Sequence, residues 1–415
     1  MTPIRAWFRI ALWKRVLGGL ALGLAFGLLW PAATDSVAIL GDLFIRLIRM
    51  LVVPIVFVTI AAGVSSLGDP KRLGSVGGRT IGLFAVTTAI AVSVGIVVAL
   101  IVEPGIGANL GGAEPRPLGE PKSTYDQLVG IVPANLFEAL AAGDMLAIIF
   151  FSLLLGIGTI LAGDAGKPLA GLLQSVSNVL FQMIRVVMEA TPFGVFALTA
   201  GAIAANGLAV FTNIGLLALC VVLGSLIQIA FVHSALVRGI AGMPLRFFFR
   251  GIVDALAVAF STSSSSATLP VALRVARDNL GIRPAIASTV LPIGASIGKD
   301  GTAMYVGLLS VFSLQALGIT PDAGMLVIIF LTAALAAFGT APIPSASLFM
   351  LAAVLNAVGV TTEQAALIVG FILPFDRLLD MTRTVPSACA NLAVTTTVAH
   401  WEGDLDRTVR TKDAV

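Results

Sequence analysis

Residues 376–391 of the chain read DRLLDMTRTVPSACAN, within the last long apolar segment of a sequence in which charge is scarce. A helix advances about 100° per residue, so one polar stripe about 80° wide gathers five side chains: Asp376, Asp380, Arg383, Ser387 and Asn391. Charged side chains in a membrane segment face a protein interior or a wet cavity. The stripe therefore predicts a functional site, with a plain internal Asp380–Arg383 salt bridge as the alternative.

The composition of the whole chain is that of a membrane protein. Hydrophobic residues make up 58% of its 415 residues and charged residues only 11%, against about 25% in an average soluble domain. This length leaves room for about eight to ten membrane segments of roughly 20 residues each. We therefore predict an all-α polytopic membrane protein.

The charge, cysteine and histidine patterns argue against other classes. Cys220 and Cys389 lie in apolar segments and are not a disulfide framework. His233 and His400 are too few and too far apart in sequence to indicate a zinc site. No basic cluster is interleaved with aromatic residues, so we expect no nucleic-acid partner.

Apolar segments in the first 240 residues predict six membrane spans. Basic residues cluster before the first span and on that same side of later spans, whereas Arg116 and Lys122 lie in a polar loop on the other side. The positive-inside rule then places both termini in the cytoplasm. The first span ends near Trp30, and the other five cover 37–67, 81–102, 138–162, 169–205 and 209–237.

The segment that follows is predicted to enter and leave the membrane on one side. Residues 255–273 are apolar, but basic residues flank them at both ends. Their centre holds the hydroxyl run 261–266, and its backbone would be left unsatisfied in lipid unless it is buried in protein or lines a cavity. We interpret 245–279 as a re-entrant helical hairpin with a serine tip. The alternative is a kinked ordinary span.

Two further segments show breaks. The seventh span, 284–315, is interrupted at Gly298-Lys-Asp-Gly-Thr302, which is typical of a discontinuous helix with functional groups at its break. Residues 324–362 carry no charge over 39 positions, and one helix of that length would measure about 58 Å, roughly twice the hydrocarbon core. Pro342 and Pro344 near the middle indicate a second hairpin, 324–359.

The second half of the chain therefore contains a repeat. Each unit is a hairpin followed by a broken or polar span, and the two units enter from opposite sides. The predicted architecture is eight transmembrane helices plus two re-entrant hairpins in inverted repeats. Secondary transporters are built in this way, with the substrate site at the repeat interface.

This order of features resembles the glutamate transporter family, the dicarboxylate/amino acid:cation symporters. The resemblance covers essentially the whole chain and is most specific in SSSSATLP (263–270), LPIGASIGKDGTA (291–303) and DRLLDMTRT (376–384). It implies a secondary active symporter and not an enzyme, working by alternating access on a small anionic substrate. It also implies a homotrimer in the lipid of the cell inner (plasma) membrane, with no cofactor besides a co-transported H⁺ or Na⁺.

The resemblance also implies a division of the chain. Residues 1–240 are expected to form mainly scaffold and trimerisation spans, with the third span and parts of the sixth contacting the transport core. Residues 245–400 are expected to form that core from the hairpin 245–279, span seven (284–315), the hairpin 324–359 and span eight (364–398). Residues 401–415 are the expected cytoplasmic tail.

Several positions match substrate-binding residues of the family. Arg383 matches an arginine that holds the acidic side chain of the substrate, for which the planar guanidinium suits a carboxylate. Asp380 matches the acid that takes the substrate's amino group, which favours aspartate or glutamate over a plain dicarboxylate. Further substrate contacts are expected at Ser265, Thr302, Thr384, Ser387 and Ile343, the last at the tip that acts as a gate.

The positions that match the family's cation sites depart from its pattern. The family motif Asn-Met-Asp-Gly-Thr is Gly298-Lys-Asp-Gly-Thr302 here, and an Asn and an Asp of the eighth span are Ser387 and Asn391. A tyrosine of the third span is Phe84. A sodium site at Asp300 is therefore expected but weakened by Asn391. The candidate coupling residues are Asp300, Lys299, Asp376, Asn391, Thr87, Thr88 and Thr340.

Lys299 suggests a different coupling ion. We hypothesise that its ammonium occupies space that the family fills with sodium, paired with Asp300 or Asp376, because an unpaired lysine in the membrane is costly. Transport would then depend on protons more than on sodium. The alternative is that Lys299 pairs with an acid only as structure.

Rival functions remain at this point. A C4-dicarboxylate:cation symporter of the same fold is the alternative within the class, and a channel between the hairpins is a weaker variant. An intramembrane serine hydrolase would need a base beside the serine run. His233 is expected at the cytoplasmic end of span six, and the chain has no G-x-S-x-G, so the hydrolase is a remote alternative.

Overall fold

The computed structural model of the chain describes residues 10, 12–65, 75–108, 132–142, 144–206, 210–340 and 346–406. Within these ranges the chain is all-helical, and its β-pairing is limited to an isolated bridge between Ile282 and Leu405. The all-α prediction is therefore confirmed. Two stretches, Val76–Val102 and Thr212–Ile240, form helices long and apolar enough to cross a membrane.

The first half of the chain follows the predicted spans, with two subdivisions. Its helices are α1 (Leu12–Leu29), α2 (Ala38–Ser65), α3 (Ser75–Val102), α4 (Leu136–Ala142), α5 (Met145–Leu161), α6 (Lys167–Met188), α7 (Thr191–Asn206) and α8 (Val210–Ile227). The fourth span, expected as one helix, is α4 and α5, and the fifth is α6 and α7. Pro192 explains the second division, because it has no N–H to continue the α6 ladder.

The second half contains the predicted interruptions. Its helices are α9 (Leu245–Thr262), α10 (Ser265–Asp278), α11 (Pro284–Ile297), α12 (Asp300–Ala316), α13 (Ala323–Phe338), α14 (Ala346–Ala357) and α15 (Thr362–Trp401). Helices α9 and α10 are joined by a two-residue turn, and α11 and α12 by Gly298 and Lys299. The tip between α13 and α14, with Ile343, lies outside the described residues.

Hydroxyl residues build the turn between α9 and α10. Ser263 takes a left-handed conformation with φ of 52°, as residues that end helices often do. Ser264 is extended, and its Oγ accepts from the N–H of Ala267 at 3.3 Å, which caps α10. The serine run therefore ends one helix and begins the next, and Ser265 is the first residue of α10.

Contacts at the two ends of the bundle define helix directions. At one end, ion pairs join Arg79 to Glu402 at 2.8 Å and Arg283 to Asp404 at 2.7 Å. At the other end, the side-chain amide of Gln315 bonds the end of α3 and the residues after it. Its Nε2 donates to the Ala99 carbonyl and its Oε1 accepts from the Gly105 N–H, each at 3.0 Å. Helix α3 therefore runs parallel to α11 and α12, and α15 runs antiparallel to them.

Helix α12 is the centre of the fold. Every side chain from Asp300 to Leu314 is buried, and a helix covered on all sides is a core element. Its approach to α3 depends on Gly95, where a Cβ would overlap the Met304 carbonyl. This close contact brings the hydroxyls of α3 to the start of α12.

Replacing Gly95 with alanine should destabilise the fold. The added Cβ forces α3 and α12 apart, and such overpacking costs about 1–3 kcal/mol. Gly82→Ala is the matched control, since Gly82 lies in the same helix with open space around its Cα and alanine there favours helix. Thermal unfolding of the purified protein in detergent measures the difference. Equal melting temperatures for the two variants would contradict the close contact.

Candidate functional site

The polar stripe of α15 lies against the break between α11 and α12. The side chains of Asp376, Asp380, Arg383, Ser387 and Asn391 are all buried, and none is more than 6% exposed. Their contacts run in register along the facing helices, from Tyr305 in α12 back to Gly294 in α11. The stripe therefore meets a second polar surface and not lipid.

Arg383 is held by three groups from two helices. Its Nη1 donates to the Thr302 hydroxyl, and its Nη2 donates to the Asp380 carboxylate. Its Cζ lies 5.8 Å from the ring centroid of Tyr305, within reach of a cation–π attraction. The internal salt bridge considered from the sequence is thus present, but it is part of a larger cluster that includes α12.

Asp376 takes part in the same cluster from one turn away. The Tyr305 hydroxyl donates to Asp376 Oδ1 at 2.9 Å, and both side chains are fully buried. Tyr305 therefore touches the guanidinium with its ring and a carboxylate with its hydroxyl. This contact links the two acids of the stripe through a residue of α12.

Ser387 closes the beginning of α12. Its Oγ accepts from the backbone N–H of Gly301 at 3.0 Å, one of the first N–H groups that a helix leaves without an internal partner. A Cβ at Gly301 would overlap the backbone carbonyl of Arg383. Glycine at this position therefore lets the start of α12 lie directly against α15.

Asn391 closes the end of α11. With its amide nitrogen turned toward that helix, it donates to the carbonyls of Gly294 at 3.1 Å and Gly298 at 3.2 Å. A side chain at Gly298 has no room, because its Cβ would meet Asn391 and the Phe84 ring at 2.5 Å. Phe84 and Asn391 therefore fill the space beside Gly298.

Lys299 does not pair with either carboxylate named for it. Its side chain is 2% exposed, and its Nζ donates to the Ala295 carbonyl at 2.7 Å. Lys299 folds back along α11, whereas Asp300 points away toward α3. The expected pairing with Asp300 or Asp376 was therefore wrong, and the ammonium instead lies at the carbonyl end of α11, where a helix favours positive charge.

Asp300 is bound by two predicted partners and two unexpected ones. Its Oδ1 accepts from Thr87 at 3.0 Å and Thr88 at 3.1 Å. Its Oδ2 accepts from Gln228 Nε2 at 3.2 Å and lies 3.1 Å from His233 Nε2. The family resemblance grouped Asp300 with the two threonines, and the structure places them in contact.

Gln228 and His233 were missed by the sequence analysis. The expectation placed His233 at the end of the sixth span, but its side chain is fully buried against Asp300. Both residues lie in a π-helical segment, Gln228–His233, that continues α8. Their spacing of five does not follow an α-helical face, so the available signal was only that two polar residues interrupt an apolar span.

The remaining predicted residues occupy the edges of the cluster. The Thr384 hydroxyl donates to the Asp380 carbonyl at 2.7 Å. The Thr340 hydroxyl, two residues past the end of α13, donates to the Ala336 carbonyl at 2.9 Å. Ser265 lines a small cavity between α10, α11 and α15, which also includes Asn391.

A buried cluster of carboxylates, an arginine and hydroxyls around a discontinuous helix is the type of site found in secondary transporters. The chain belongs to the sodium:dicarboxylate symporter family, whose model matches residues 12–401. It is therefore a cation-coupled membrane transporter of acidic substrates and not an enzyme, and its ions are co-transported, not resident cofactors.

Relatives that are named as transporters span nearly the whole chain. A proton/sodium-glutamate symport protein of Geobacillus stearothermophilus is 34% identical over 95% of both chains. A protein of the same name from Bacillus subtilis (strain 168) is 33% identical over 95% of this chain and 94% of its own. A C4-dicarboxylate transport protein of Agrobacterium fabrum is 32% identical over 95% of this chain and 89% of its own.

Removing the Tyr305 hydroxyl should lower the stability of the folded protein while leaving the shape of the site unchanged. Tyr305→Phe takes a donor away from the buried Asp376 carboxylate, which costs about 1–3 kcal/mol. Ser310→Ala is the matched control, since Ser310 is also buried in α12 and its hydroxyl bonds only within that helix, to Val306. Thermal unfolding in detergent compares the melting temperatures of the two variants. A phenylalanine variant as stable as the alanine variant would show that this hydrogen bond contributes nothing.

Proposed function

We propose that the protein takes up an acidic amino acid, aspartate or glutamate, together with a cation by alternating access. The observation that carries this proposal is the buried pairing of Arg383 and Asp380 beside Thr302. One group suits a carboxylate and the other an ammonium, and they lie one helical turn apart. An acidic amino acid carries both of these charges.

The arginine retains capacity for a substrate. Arg383 Nε is buried without a hydrogen-bond partner among the described residues, and a guanidinium binds a carboxylate best through two parallel N–H groups. Thr302, Thr384, Ser265 and Ser387 are the further proposed substrate contacts, with Ile343 as the gate. A substrate carboxylate beside Nε would give this buried N–H an acceptor.

Asp380 favours an amino acid over a plain dicarboxylate. When a substrate carboxylate binds Arg383, Asp380 loses part of its compensating charge, and a buried charge without compensation is costly. The ammonium of an amino acid restores the balance, whereas a dicarboxylate adds a second anion. C4-dicarboxylate:cation symport is the second candidate, and similarity to the C4-dicarboxylate transport protein of Agrobacterium fabrum favours it.

We also propose the finer architecture inferred from the sequence. It comprises eight spans and two re-entrant hairpins in inverted repeats, a scaffold of 1–240 and a transport core of 245–400. The two-residue turn at 263–264 and the break at 298–299 support it. The remaining proposals are a homotrimer in the inner membrane, with both termini in the cytoplasm.

We propose a proton as the coupling ion in preference to sodium. Carbonyls at the end of a broken helix are typical cation ligands in transporters. Here two of the chain's own donors take those of α11: Lys299 at Ala295 and Asn391 at Gly294 and Gly298. This arrangement supports the hypothesis that Lys299 stands where a co-transported cation would otherwise bind.

Arg383→Lys should abolish most of the uptake of aspartate. A lysine keeps the charge but loses the paired N–H geometry, and hydrogen bonds to charged groups contribute about 1.5–3 kcal/mol, or roughly 10- to 100-fold in affinity. Thr382→Ala is the control, since Thr382 is a half-buried neighbour whose hydroxyl bonds the Leu378 carbonyl of its own helix. Uptake of labelled aspartate and succinate into proteoliposomes measures both variants.

Asp380→Ser should shift substrate preference from aspartate toward succinate in the same assay. An unchanged preference would contradict the proposed role of Asp380.

Separate ion gradients test the coupling. We expect labelled aspartate, glutamate or succinate to enter proteoliposomes under an inward proton gradient and to respond weakly to a sodium gradient. Lys299→Met should reduce proton-driven uptake, because it removes the ammonium at Ala295. Sodium-driven uptake that persists unchanged in Lys299→Met would refute the hypothesis.

A further inference from the structure

We infer that His233 and Gln228 are selectivity residues that close Asp300 to alkali cations. They do so by occupying acceptor positions of its carboxylate that a sodium ion would need. This inference deepens the proposed function, because it names the side chains that exclude sodium at the carboxylate where the family resemblance places it. It concerns ion binding alone and makes no use of the substrate site.

The hydrogen bonds of Asp300 saturate its carboxylate. Each oxygen is within hydrogen-bond distance of two side chains: Thr87 and Thr88 at Oδ1, and Gln228 and His233 at Oδ2, all between 3.0 and 3.2 Å. An ionised carboxylate offers about four lone-pair positions. Because a carboxylate oxygen only accepts, the Nε2 of His233 carries the hydrogen in this contact. No acceptor position of this carboxylate is left for a metal cation.

The burial of the cluster makes displacement of these donors costly. Asp300, Gln228 and His233 are fully buried, and Thr87 and Thr88 are at most 1% exposed. A cation that took the place of the imidazole or amide would leave a buried N–H without a partner, which carries the full desolvation penalty of that group. Thus a sodium ion does not fit among the residues present.

The backbone conformation of the sixth span places the side chains of both Gln228 and His233 at Asp300. Residues five apart on an α-helix are separated by about 140° around the axis, so Gln228 and His233 would face different neighbours. The segment Gln228–His233 is instead π-helical, and the wider turn returns the fifth residue nearly to the same side. Short π-helical segments are frequent at functional sites, and this one directs two polar side chains at one carboxylate oxygen.

The lysine that precedes Asp300 in sequence is directed elsewhere. Lys299 precedes Asp300, but its Nζ donates to Ala295. In the part of the chain that the structure describes, the basic side chain in contact with Asp300 is His233, with Nε2 3.1 Å from Oδ2. The histidine and the glutamine are therefore the residues to change in order to reopen this carboxylate.

Sodium binding to the purified protein without substrate tests the inference. The melting temperature is compared in NaCl and in KCl at equal ionic strength, since an ion that binds only the folded state raises it. We expect no sodium-specific rise for the wild type or for Ser234→Ala, a control within the same helix whose hydroxyl bonds Ile229. Gln228→Ala/His233→Ala should gain a sodium-specific rise of several degrees, because the carboxylate and the hydroxyls of Thr87 and Thr88 become available as oxygen ligands.

Two results would overturn the inference. One is a double variant that folds and shows the same sodium response as the wild type. The other is a sodium response of the wild type that Asp300→Asn removes, since that would place sodium at Asp300 with both donors present. If the double variant does not fold, the comparison of the wild type with Asp300→Asn decides alone. Equal sodium responses of these two proteins would support the inference. Failure of aspartate uptake would count against the proposed substrate only, because this assay contains none.

Discussion

The interruption of a buried helix at Gly298 and Lys299 is the constraint on which the rest of the site depends. A helix that ends inside the protein leaves carbonyls on one side of the break and N–H groups on the other, and buried backbone groups must find partners. Here the partners are side chains: Asn391 and Lys299 at the end of α11, and Ser387 at the start of α12. The break is therefore closed by its neighbours.

This closure joins the proposed substrate and ion regions into one structure. The same face of α15 that satisfies the break with Ser387 also presents Arg383 to Thr302, one residue after Gly301. On the opposite side of α12, Asp300 is bound by α3 and by the π-helical segment. A shift of α12 that opens either region changes the hydrogen bonds of the other, which is a physical basis for coupling an acidic substrate to an ion.

Features that depend on local chemistry were predictable from the sequence. The breaks follow from clusters of serine, glycine and proline, whose side-chain hydrogen bonding, backbone freedom or missing N–H favours the end of a helix. The stripe of α15 follows from helical periodicity alone. The division of the fifth span at residues 189–190 was missed, although Pro192 signalled it, because the apolar stretches on both sides were interpreted as one span.

The sequence by itself determined the helical class, the interrupted segments and the Asp380–Arg383 stripe, and its resemblance to a known family grouped Asp300 with Thr87 and Thr88. Only the tertiary structure decided the partners of Lys299 and the presence of His233 at Asp300. Charge complementarity suggested an acid for the lysine, but the position of the ammonium depends on which way the chain leaves α11. The histidine lies 67 residues from Asp300, and its direction is set by a local π winding that α-helical periodicity does not reveal.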